Sequence, residues 1–482
     1  MAKAKTHFVC QECGSTYSKW SGQCRGCHQW NTLVEETLTP TLKSGARGWS
    51  VSEDSHQPGS RPKVHRLDRK LEQANDQRHR TGFQELDRVL GGGLVPGSFV
   101  LLGGDPGIGK STLLLQMAGG LAKNKQHVLY ISGEESVHQS ALRAQRLGIT
   151  SSQVEVASES LMENILSLTK DIRPDVLIVD SIQTVYLSEL TAAPGSVSQV
   201  RECAAQLMAL AKGQNIAVFI IGHVTKDGNI AGPKTLAHMV DTVLSFEGDS
   251  SYQFRLLRAQ KNRFGATNEL GVFQMKTEGL AEVDNPSEMF LEERGSDLMG
   301  SSVFAAMEGS RPLLCEIQGL TSSSPMAMPR RTSLGFDTNR VHLLVAVLDK
   351  HLDLGLSKCD VFVNVVGGLK ITEPAADLAV AAALISTTNF QEMDGQTCFF
   401  GEIGLTGEVR RCQFADERIK EAEKLGFNHF VLPESNKKHL TKLLSKLNGN
   451  VVWIKRVAQL PAILKSLRQN NTSTKPKERD LF

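Results

Sequence analysis

Short apolar runs alternate with helical stretches between residues 81 and 285. Five runs are predicted strands, at 99–102, 128–132, 176–180, 217–222 and 242–246, and a hairpin-like pair follows near 252–259 and 269–276. Alternation of strands and helices is typical of a parallel sheet covered by helices. Residues 81–285 are therefore predicted to form an α/β domain.

A second α/β unit is predicted over residues 290–467. It contains glycine-punctuated apolar strands such as VFVNVVGGL and a long helix, PAADLAVAAALIS. Residues 36–80 are rich in Ser, Pro, Thr and charge without a steady apolar period, which predicts a linker. Residues 468–482 are predicted to be a disordered tail.

The composition is that of an ordinary globular protein, with 40% hydrophobic and 22% charged residues among 482. The net charge of +2, from 54 basic and 52 acidic residues, gives no global argument for nucleic-acid binding. No run approaches the roughly 18 apolar residues of a membrane span, and the start MAKAKTHFVC lacks the apolar core of a signal peptide. We expect a cytoplasmic protein with reduced thiols and no membrane contact.

Residues 1–35 contain four cysteines in the arrangement C-x2-C-x10-C-x2-C, namely Cys10, Cys13, Cys24 and Cys27. Two C-x-x-C turns supply the four thiolates that a closed tetrahedral Zn²⁺ site requires. So short a segment buries little core, so the metal would provide most of its folding free energy. Two disulfides are the alternative, which a reducing cytosol disfavours. The segment is predicted to be a C4 zinc finger.

Residues 104–111 match the phosphate-loop pattern G-x-x-x-x-G-K-[ST] without a mismatch. The apolar run before them predicts a strand, and STLLLQMAGGLA predicts a helix whose N-terminus faces the anion. Glycines let backbone N–H groups wrap the phosphates, Lys110 places a charge near the β- and γ-phosphates, and Ser111 can ligate Mg²⁺. The predicted binding residues for ATP or GTP are Gly104, Asp105, Pro106, Gly107, Ile108, Gly109, Lys110, Ser111 and Thr112.

Polar residues follow three of the predicted strands. Asp180 ends the run VLIVD, where its carboxylate can hold the hydration shell of Mg²⁺. The run HVLYIS leads into two glutamates, of which Glu134 is predicted to polarise the attacking water and Glu135 is the second choice. An acidic pair at a helix N-terminus is the alternative. His223 follows the run AVFIIG and is predicted to sense the γ-phosphate.

Two pairs of basic residues follow further along the chain. Lys226 and Lys234, on the loop after His223, either contact nucleic-acid phosphates or are solvated. In QKNRFG, Lys261 and Arg263 are two positions apart, so both side chains share one face if the segment is extended. Two fixed cations beside a tight glycine turn suggest a finger that reaches a neighbouring subunit's γ-phosphate.

Together these motifs resemble the bacterial RadA (Sms) family of RecA-like DNA repair ATPases. The resemblance covers nearly all of the chain in family order: the CxxC…CxxC module, TGFQELDRVLGGGLVPGS before the phosphate loop, KNRFG, and a Lon-protease-like domain. It implies ATP, Mg²⁺ and Zn²⁺ as cofactors and a homo-hexameric ring that moves on single-stranded DNA. It further implies branch migration of recombination intermediates together with RecA. Glu134 aligns with the catalytic glutamate of RecA-like ATPases, and Lys261 and Arg263 resemble the trans-acting basic pair of DnaB-type helicases.

The Lon-like domain departs from the protease pattern where chemistry would occur. Lon proteases carry a serine in a GPSAG-like segment, where TEPAAD places Ala375, and Asp416 aligns with the catalytic lysine. Without nucleophile and base, no Ser–Lys hydrolysis is expected, and the domain is predicted to serve oligomerisation and DNA contact. Arg330, Arg331 and Arg340 are candidate phosphate contacts, with solvated arginines as the alternative.

Two other classes of protein share some of these features. An ATP-dependent protease would need the missing Ser–Lys dyad. A phosphotransfer protein of the circadian-clock type would share the TGF…D start and the phosphate loop, but neither the zinc module nor KNRFG. A DNA-dependent ATPase of recombinational repair is the predicted function.

Overall fold

The computed structural model describes residues 5–10, 15–38, 78–223, 234–248, 254–267, 269–292, 294–295 and 299–472. The chain divides into two compact units, with the boundary between Val283 and Asp284. Among the described helices, none has both the length and the apolar character needed to cross a bilayer.

The N-terminal module is a small antiparallel sheet. Its strands are β1 (Lys5–Cys10), β2 (Thr16–Tyr17) and β3 (Leu33–Leu38), in the order β2-β1-β3. Cys10, Cys24 and Leu33 form its buried centre. Since β3 ends at Leu38, the sheet extends three residues into the predicted linker, and residues 39–77 of that linker lie outside the described residues.

The rest of the first unit alternates strands and helices. Its elements are α1 (Gln84–Val89), β4 (Phe99–Gly104), α2 (Lys110–Lys123), β5 (Val128–Ser132), α3 (Val137–Arg146), β6 (Val154–Ser158), α4 (Met162–Ile172), β7 (Val176–Asp180), α5 (Val197–Gln214), β8 (Ala217–His223), α6 (Lys234–Met239), β9 (Thr242–Glu247), β10 (Phe254–Asn262), β11 (Leu270–Lys276) and β12 (Gly279–Glu282). They form one sheet in the order β12-β11-β10-β9-β4-β8-β7-β5-β6. Strands β4 to β9 are parallel, and β10 to β12 extend the sheet as antiparallel strands.

All five predicted strands and the hairpin-like pair are present, and the predicted α/β class is confirmed. Strand β6 was not predicted. Its sequence VEVAS alternates apolar and polar residues at the sheet edge, and every residue keeps some exposure. The buried central strands instead give continuous apolar runs, which are easier to recognise.

The central strand β4 is buried along its whole length, because helices cover both faces of the sheet. Val100 and Leu102 face a core that includes residues of α1 and α2. Phe99 and Leu101 face a second core built with α4 and α5. Parallel sheets covered on both faces bind their ligands beyond the carboxyl ends of the strands, which here include Gly104, Ser132, Asp180 and His223.

The second unit contains a seven-stranded mixed sheet. Its elements are α7 (Pro286–Leu291), β13 (Ser301–Glu308), β14 (Arg311–Ser323), β15 (Arg331–Leu334), α8 (Thr338–Leu352), β16 (Cys359–Val365), α9 (Asp377–Thr388), β17 (Thr397–Phe399), β18 (Glu402–Ile403), β19 (Val409–Arg410), α10 (Ala415–Lys424), β20 (His429–Pro433), α11 (Thr441–Leu444), β21 (Asn450–Ile454) and α12 (Leu460–Thr472). The sheet order is β15-β16-β14-β13-β17-β20-β21, and β18 pairs with β19 separately.

Helix α9 is the centre of this unit and matches the predicted helix PAADLAVAAALIS. It is buried from Asp377 to Ser386, and its small alanines let it pack closely on β13 and β14. Helix α12 continues through 468–472, five residues that the sequence suggested as the start of the tail. Leu460, Leu464 and Leu467 are buried at helical spacing, which carries the helix to that point. Residues 473–482 lie outside the described residues.

Candidate functional site

The phosphate-loop sequence connects β4 to the N-terminus of α2. Its first glycine is required by packing, since a Cβ on Gly104 would lie 2.5 Å from the carbonyl oxygen of Phe246. Gly107 and Gly109 have φ values of +76° and +114°, in the region that favours glycine. The space beside Gly107 is open to 4 Å. A loop with two glycines in the left-handed region precedes a 14-residue helix. This arrangement suits a phosphate group, because the N–H groups of the loop and the helix dipole both favour an anion.

Lys110, the first residue of α2, is buried inside this loop. Its Nζ donates to the carbonyl oxygens of Gly104 at 2.8 Å and Asp105 at 2.9 Å. Burial lowers the pKa of Lys110, and the nearby carboxylates of Asp180, Asp105 and Glu134 oppose that shift. The predicted lysine, Mg²⁺ ligand and base therefore share one electrostatic environment. Ser111 and Thr112 follow in the first turn of the helix.

Asp180 ends β7 and is held by a tyrosine of the neighbouring strand. The Tyr130 hydroxyl donates to Asp180 Oδ2 at 2.5 Å. Burial, followed by the negative charge of Asp180, raises the pKa of Tyr130 well above its ordinary value. Tyr130 therefore stays a neutral donor, and it fixes one oxygen of a carboxylate at the edge of the sheet where the phosphate loop begins.

The adjacent glutamates after β5 have different partners. Ser181 Oγ donates to Glu134 Oε1 at 2.8 Å, which places Glu134 beside the end of β7. Glu135 pairs with Arg143 of α3 at 2.5 Å, and its N–H donates to Ser132 Oγ at 2.9 Å. The charge of Glu135 is thus engaged by a helix, whereas Glu134 lies next to Asp180.

His223 ends β8 directly beside the phosphate loop, because it is the register partner of Gly104. Its side chain lies outside the described residues, as does that of Lys234 at the start of α6. Lys226 belongs to 224–233, which also lies outside them. The structure thus locates the backbone of His223 at the site and leaves the two loop lysines as predictions.

Lys261 and Arg263 contact one short segment from the same side. Lys261 Nζ donates to the carbonyl oxygens of Val240 at 2.7 Å and Ala237 at 2.8 Å, at the C-terminal end of α6. Burial and the neighbouring charge of Arg263 lower the pKa of Lys261, and Asp241 opposes the shift. Arg263 pairs with Asp241 at 3.3 Å, although its own side chain is 58% exposed.

These two cations are bound near the amino end of β9, whereas the phosphate loop follows the carboxyl end of β4. Strand β10 pairs Lys261 with Val243, and β9 in turn pairs Val243 with Leu101 of β4. Arg263 is level with the start of β4, since its N–H donates to the carbonyl of Asp241, and Asp241 exchanges hydrogen bonds with Phe99. Along β4, Gly104 lies about 10 Å beyond Leu101, which is level with Lys261, and about 16 Å beyond Phe99, which is level with Arg263. Both side chains are instead bound just before the start of β9.

Three cysteines of the N-terminal module converge as a metal site requires. The sulfurs of Cys10, Cys24 and Cys27 lie within 4.8 Å of one another, and Cys13 lies outside the described residues. Cys10 and Cys27 are 3.6 Å apart at sulfur, too far for a disulfide bond. The N–H of Gly26 donates to Cys24 Sγ at 3.3 Å, a contact suited to a thiolate. The donor set fits Zn²⁺.

Comparison with known proteins finds matches for three parts of the chain and for the chain as a whole. Family models match residues 8–35 as a rubredoxin metal binding domain, 63–229 as an AAA domain and 326–436 as subunit ChlI of Mg-chelatase. The chain is 52% identical to DNA repair protein RadA of Bacillus subtilis, over 92% of this chain and 95% of that protein. It is 46% identical to DNA repair protein RadA of Haemophilus influenzae, over 97% and 100% of the two chains.

The chain belongs to the RadA family of DNA repair proteins. This RadA-family chain thus combines a zinc ribbon, a RecA-like phosphate-loop ATPase core and a Lon-like α/β domain. One solved structure, the ATPase domain of G40P, aligns at a TM-score of 0.38 and 15% identity, over 44% of this chain and 93% of that one.

In the Lon-like domain of this RadA-family chain, an internal ion pair joins the two segments that were predicted to align with the protease dyad. Ala375 is buried in a short 3₁₀ helix, Pro374–Ala376, and Asp416 pairs with Lys420 at 3.5 Å. Arg418 is bonded to Glu373 and to the carbonyl of Ala305, which ties the two segments together. The side chains at these two positions are a methyl group, which cannot act as a nucleophile, and a carboxylate in place of a lysine amine, so they form no Ser–Lys dyad.

Two of the three arginines suggested as phosphate contacts have internal partners. Arg340 binds the fully buried Asp377, and Arg331 donates to the carbonyls of Cys359 and Leu356. Both arginines therefore have structural roles. Arg330 is exposed, and the hydrogen bonds described at this residue involve its backbone: its N–H donates to Asp360, and its carbonyl accepts from Val361 and Arg331.

Several contact residues of the site could not be recognised from the sequence. Ser181 and Tyr130 act across strands on Glu134 and Asp180, and Asp241 is buried between Phe99, Lys212 and Arg263. The one local signal was for Asp241, a carboxylate directly before an apolar run. Burial of a carboxylate costs folding free energy unless several hydrogen-bond donors or cations surround it.

Proposed function

We propose that this chain is a DNA-dependent ATPase that drives branch migration of recombination intermediates as a homo-hexameric ring, together with RecA. The observation that supports it best is the separation within one chain of two halves of an ATPase site. The phosphate loop follows the carboxyl end of β4, and the cations Lys261 and Arg263 are bound near the amino end of the neighbouring strand β9. In a ring, the second half of one subunit would complete the first half of its neighbour.

In the proposed reaction the loop N–H groups and Lys110 bind the phosphates of ATP. Lys110 would exchange its bonds to the loop carbonyls for bonds to phosphate oxygens. Ser111 and Asp180 would hold Mg²⁺, which supplies charge neutralisation at the β- and γ-phosphates. Tyr130 keeps one oxygen of Asp180 fixed and leaves the other for the hydration shell of the ion.

Glu134 is proposed to orient and deprotonate the attacking water. Its bond to Ser181 holds the carboxylate beside Asp180, and it lies near enough to Lys110 to influence that residue's charge. Glu135 is tied to Arg143, which leaves it poorly placed for the same role. His223, beside Gly104, would sense the γ-phosphate and pass the change to the following segment, which carries Lys226 and leads to Lys234 at the start of α6.

Lys261 and Arg263 are proposed to act on the ATP bound by the adjacent subunit. Cations supplied there stabilise the negative charge of the transferring phosphoryl group without any movement of the subunit's own loop. Arg263 is 58% exposed and so is accessible to a second subunit, whereas Lys261 would exchange its bonds to the carbonyls of Val240 and Ala237 for bonds to phosphate. The ligand would be single-stranded or branched DNA in the cytoplasm, with the Lon-like domain as a platform for ring assembly.

The test is extension of a D-loop by the purified chain with ATP, in the presence and absence of RecA. We expect single-stranded DNA to stimulate ATP hydrolysis and the D-loop to extend only with hydrolysable nucleotide. Lys110→Ala, which removes the phosphate-binding charge, should abolish both. A rate of ATP hydrolysis that is the same with and without DNA, together with no extension of the D-loop by active enzyme, would refute the proposal.

The Lon-like domain is proposed to lack peptidase activity, since Ala375 cannot attack a carbonyl and Asp416 stands where the sequence comparison places the lysine of the Ser–Lys dyad. ATP-dependent degradation of casein by the purified chain, lost on mutation within this domain, would favour the protease alternative instead.

A further inference from the structure

Two tryptophans of the zinc module are exposed side by side. Trp20 keeps 57% of its surface exposed and Trp30 keeps 67%. A Cβ built on Gly22 would lie 3.5 Å from Trp30 Cζ3 and 3.8 Å from Trp20 Cη2, so both indoles border the space above this one residue. A single exposed aromatic needs no explanation, but two large rings around a residue without a side chain form a patch.

The backbone beneath the rings is held by hydrogen bonds. The N–H of Asn31 donates to the carbonyl of Gly22 at 2.7 Å, and Gln23 pairs with Trp30 in an antiparallel bridge. Cys24, a predicted zinc ligand, is fully buried next to this pair. The backbone of Trp30 is therefore held beside Gly22 and Gln23 before any partner binds, which lowers the entropic cost of binding.

The charged residues of the segment that carries the two rings have one sign of charge. Residues 15–32 contain Lys19 and Arg25 and no aspartate or glutamate. Both cations are exposed, and neither forms an ion pair with a residue that the structure describes. Such a surface attracts a polyanion. Indole faces stack on unpaired bases, which a single strand offers and a duplex conceals.

We propose that Trp20 and Trp30 are a stacking platform for the bases of single-stranded DNA, with Lys19 and Arg25 beside it to neutralise phosphates. Gly22 has no side chain that would lie against the two indoles. This inference rests on the proposed function in one respect, that DNA is the ligand of the chain. It assigns the zinc module a direct contact with the strand.

The test measures the Kd of the zinc-loaded full-length chain for two oligonucleotides of equal length, oligo-dT and an abasic strand with the same phosphates. Trp20→Ala and Trp30→Ala should each weaken oligo-dT binding about tenfold and leave abasic binding unchanged, because stacking requires a base. Lys19→Ala should weaken both to the same extent. Trp20→Phe and Trp30→Phe, which keep a ring, should recover most of the oligo-dT affinity.

Phe390→Ala is the matched control, since Phe390 is an exposed aromatic (83%) in the second unit, and its loss should change neither Kd. Zinc content, measured for every variant, shows whether the module is folded. Tryptophan variants that retain zinc and bind oligo-dT like wild type would overturn the platform and leave the ATPase proposal standing. Equal losses on both oligonucleotides, or unchanged DNA binding with lost binding to RecA, would overturn it as well. A wild-type chain that binds neither strand would refute the proposed function itself.

Discussion

The Arg263 guanidinium and the Asp241 carboxylate are 3.3 Å apart, near the amino end of β9. The same carboxylate accepts from Lys212 Nζ at 2.5 Å and from the N–H of Phe99 at 3.0 Å. Asp241 is buried and bound by several donors, so its carboxylate has a fixed position and holds the Arg263 guanidinium at the surface. A cation mounted in this way is positioned to serve a site on another molecule.

Action across a subunit boundary can be tested by mixing two inactive variants. Lys110→Ala chains lack the phosphate-binding charge, and Lys261→Ala chains lack the proposed finger, so each alone should lose about 10³-fold of DNA-stimulated turnover. A mixed ring contains some interfaces that pair an intact loop with an intact finger. We expect ATPase activity to recover partly on mixing, measured as phosphate release.

The control for this experiment mixes Lys110→Ala chains with chains that carry both substitutions, which cannot form an intact interface and should stay inactive. Mixed rings must be demonstrated by co-purification of differently tagged chains. No recovery in proven mixed rings would make Lys261 a residue that acts on its own subunit or on DNA.

The different partners of the two glutamates predict different phenotypes. Glu134→Gln should retain ATP and DNA binding and lose about 10²- to 10⁴-fold in turnover, the range for loss of a general base. Glu135→Gln, the matched control, removes only the charge paired with Arg143 and should stay close to wild type. Single-turnover hydrolysis and nucleotide-binding measurements separate the two steps. The reverse pattern would make Glu135 the base.

The metal of the N-terminal module can be counted. Cys24→Ser and Cys27→Ser should each release about one zinc ion per chain, because three thiolates rarely hold a structural site. Cys359→Ser, in the second unit, should release none. Metal analysis of reduced protein checks both, and reduced wild type without zinc would contradict the assignment. Basal ATP hydrolysis should survive the loss, since the phosphate loop lies outside the module.

The buried Arg418 of α10 should stabilise the Lon-like unit. Its side chain is 2% exposed and binds Glu373 and the carbonyl of Ala305. Arg418→Met leaves both acceptors without their donor and should cost about 3 kcal/mol of unfolding free energy in urea titrations. Lys420→Met on the same helix removes an exposed cation paired with Asp416 and should cost under about 0.5 kcal/mol. Equal effects would mean that Arg418 is not structural.

The sequence predicted the parts of the site that are local. The phosphate-loop residues and the strand and helix around them are contiguous, so the pattern specifies the elements and their chemistry together. The five central strands were recognisable because burial on both faces makes them apolar throughout. The zinc ligands followed from spacing alone.

Contacts between distant segments could not be predicted in the same way. Tyr130 and Asp180 meet because β5 and β7 are neighbours in the sheet, and strand order is not encoded in either segment. Likewise, Gly104 is needed because the backbone of Phe246 approaches it from β9. No local pattern connects Glu134 with Ser181, since their hydrogen bond depends on the same strand pairing.

Strand β9 connects the two halves of the proposed ATPase site, the phosphate loop and the cations Lys261 and Arg263. Phe246 near its end packs on the first glycine of the phosphate loop, and Asp241 directly before its start holds Arg263. An inserted residue would displace one end by about 3.3 Å and turn every later side chain to the other face. We therefore expect relatives of this chain to have no insertions or deletions within β9. Differences in chain length among them should be confined to surface loops.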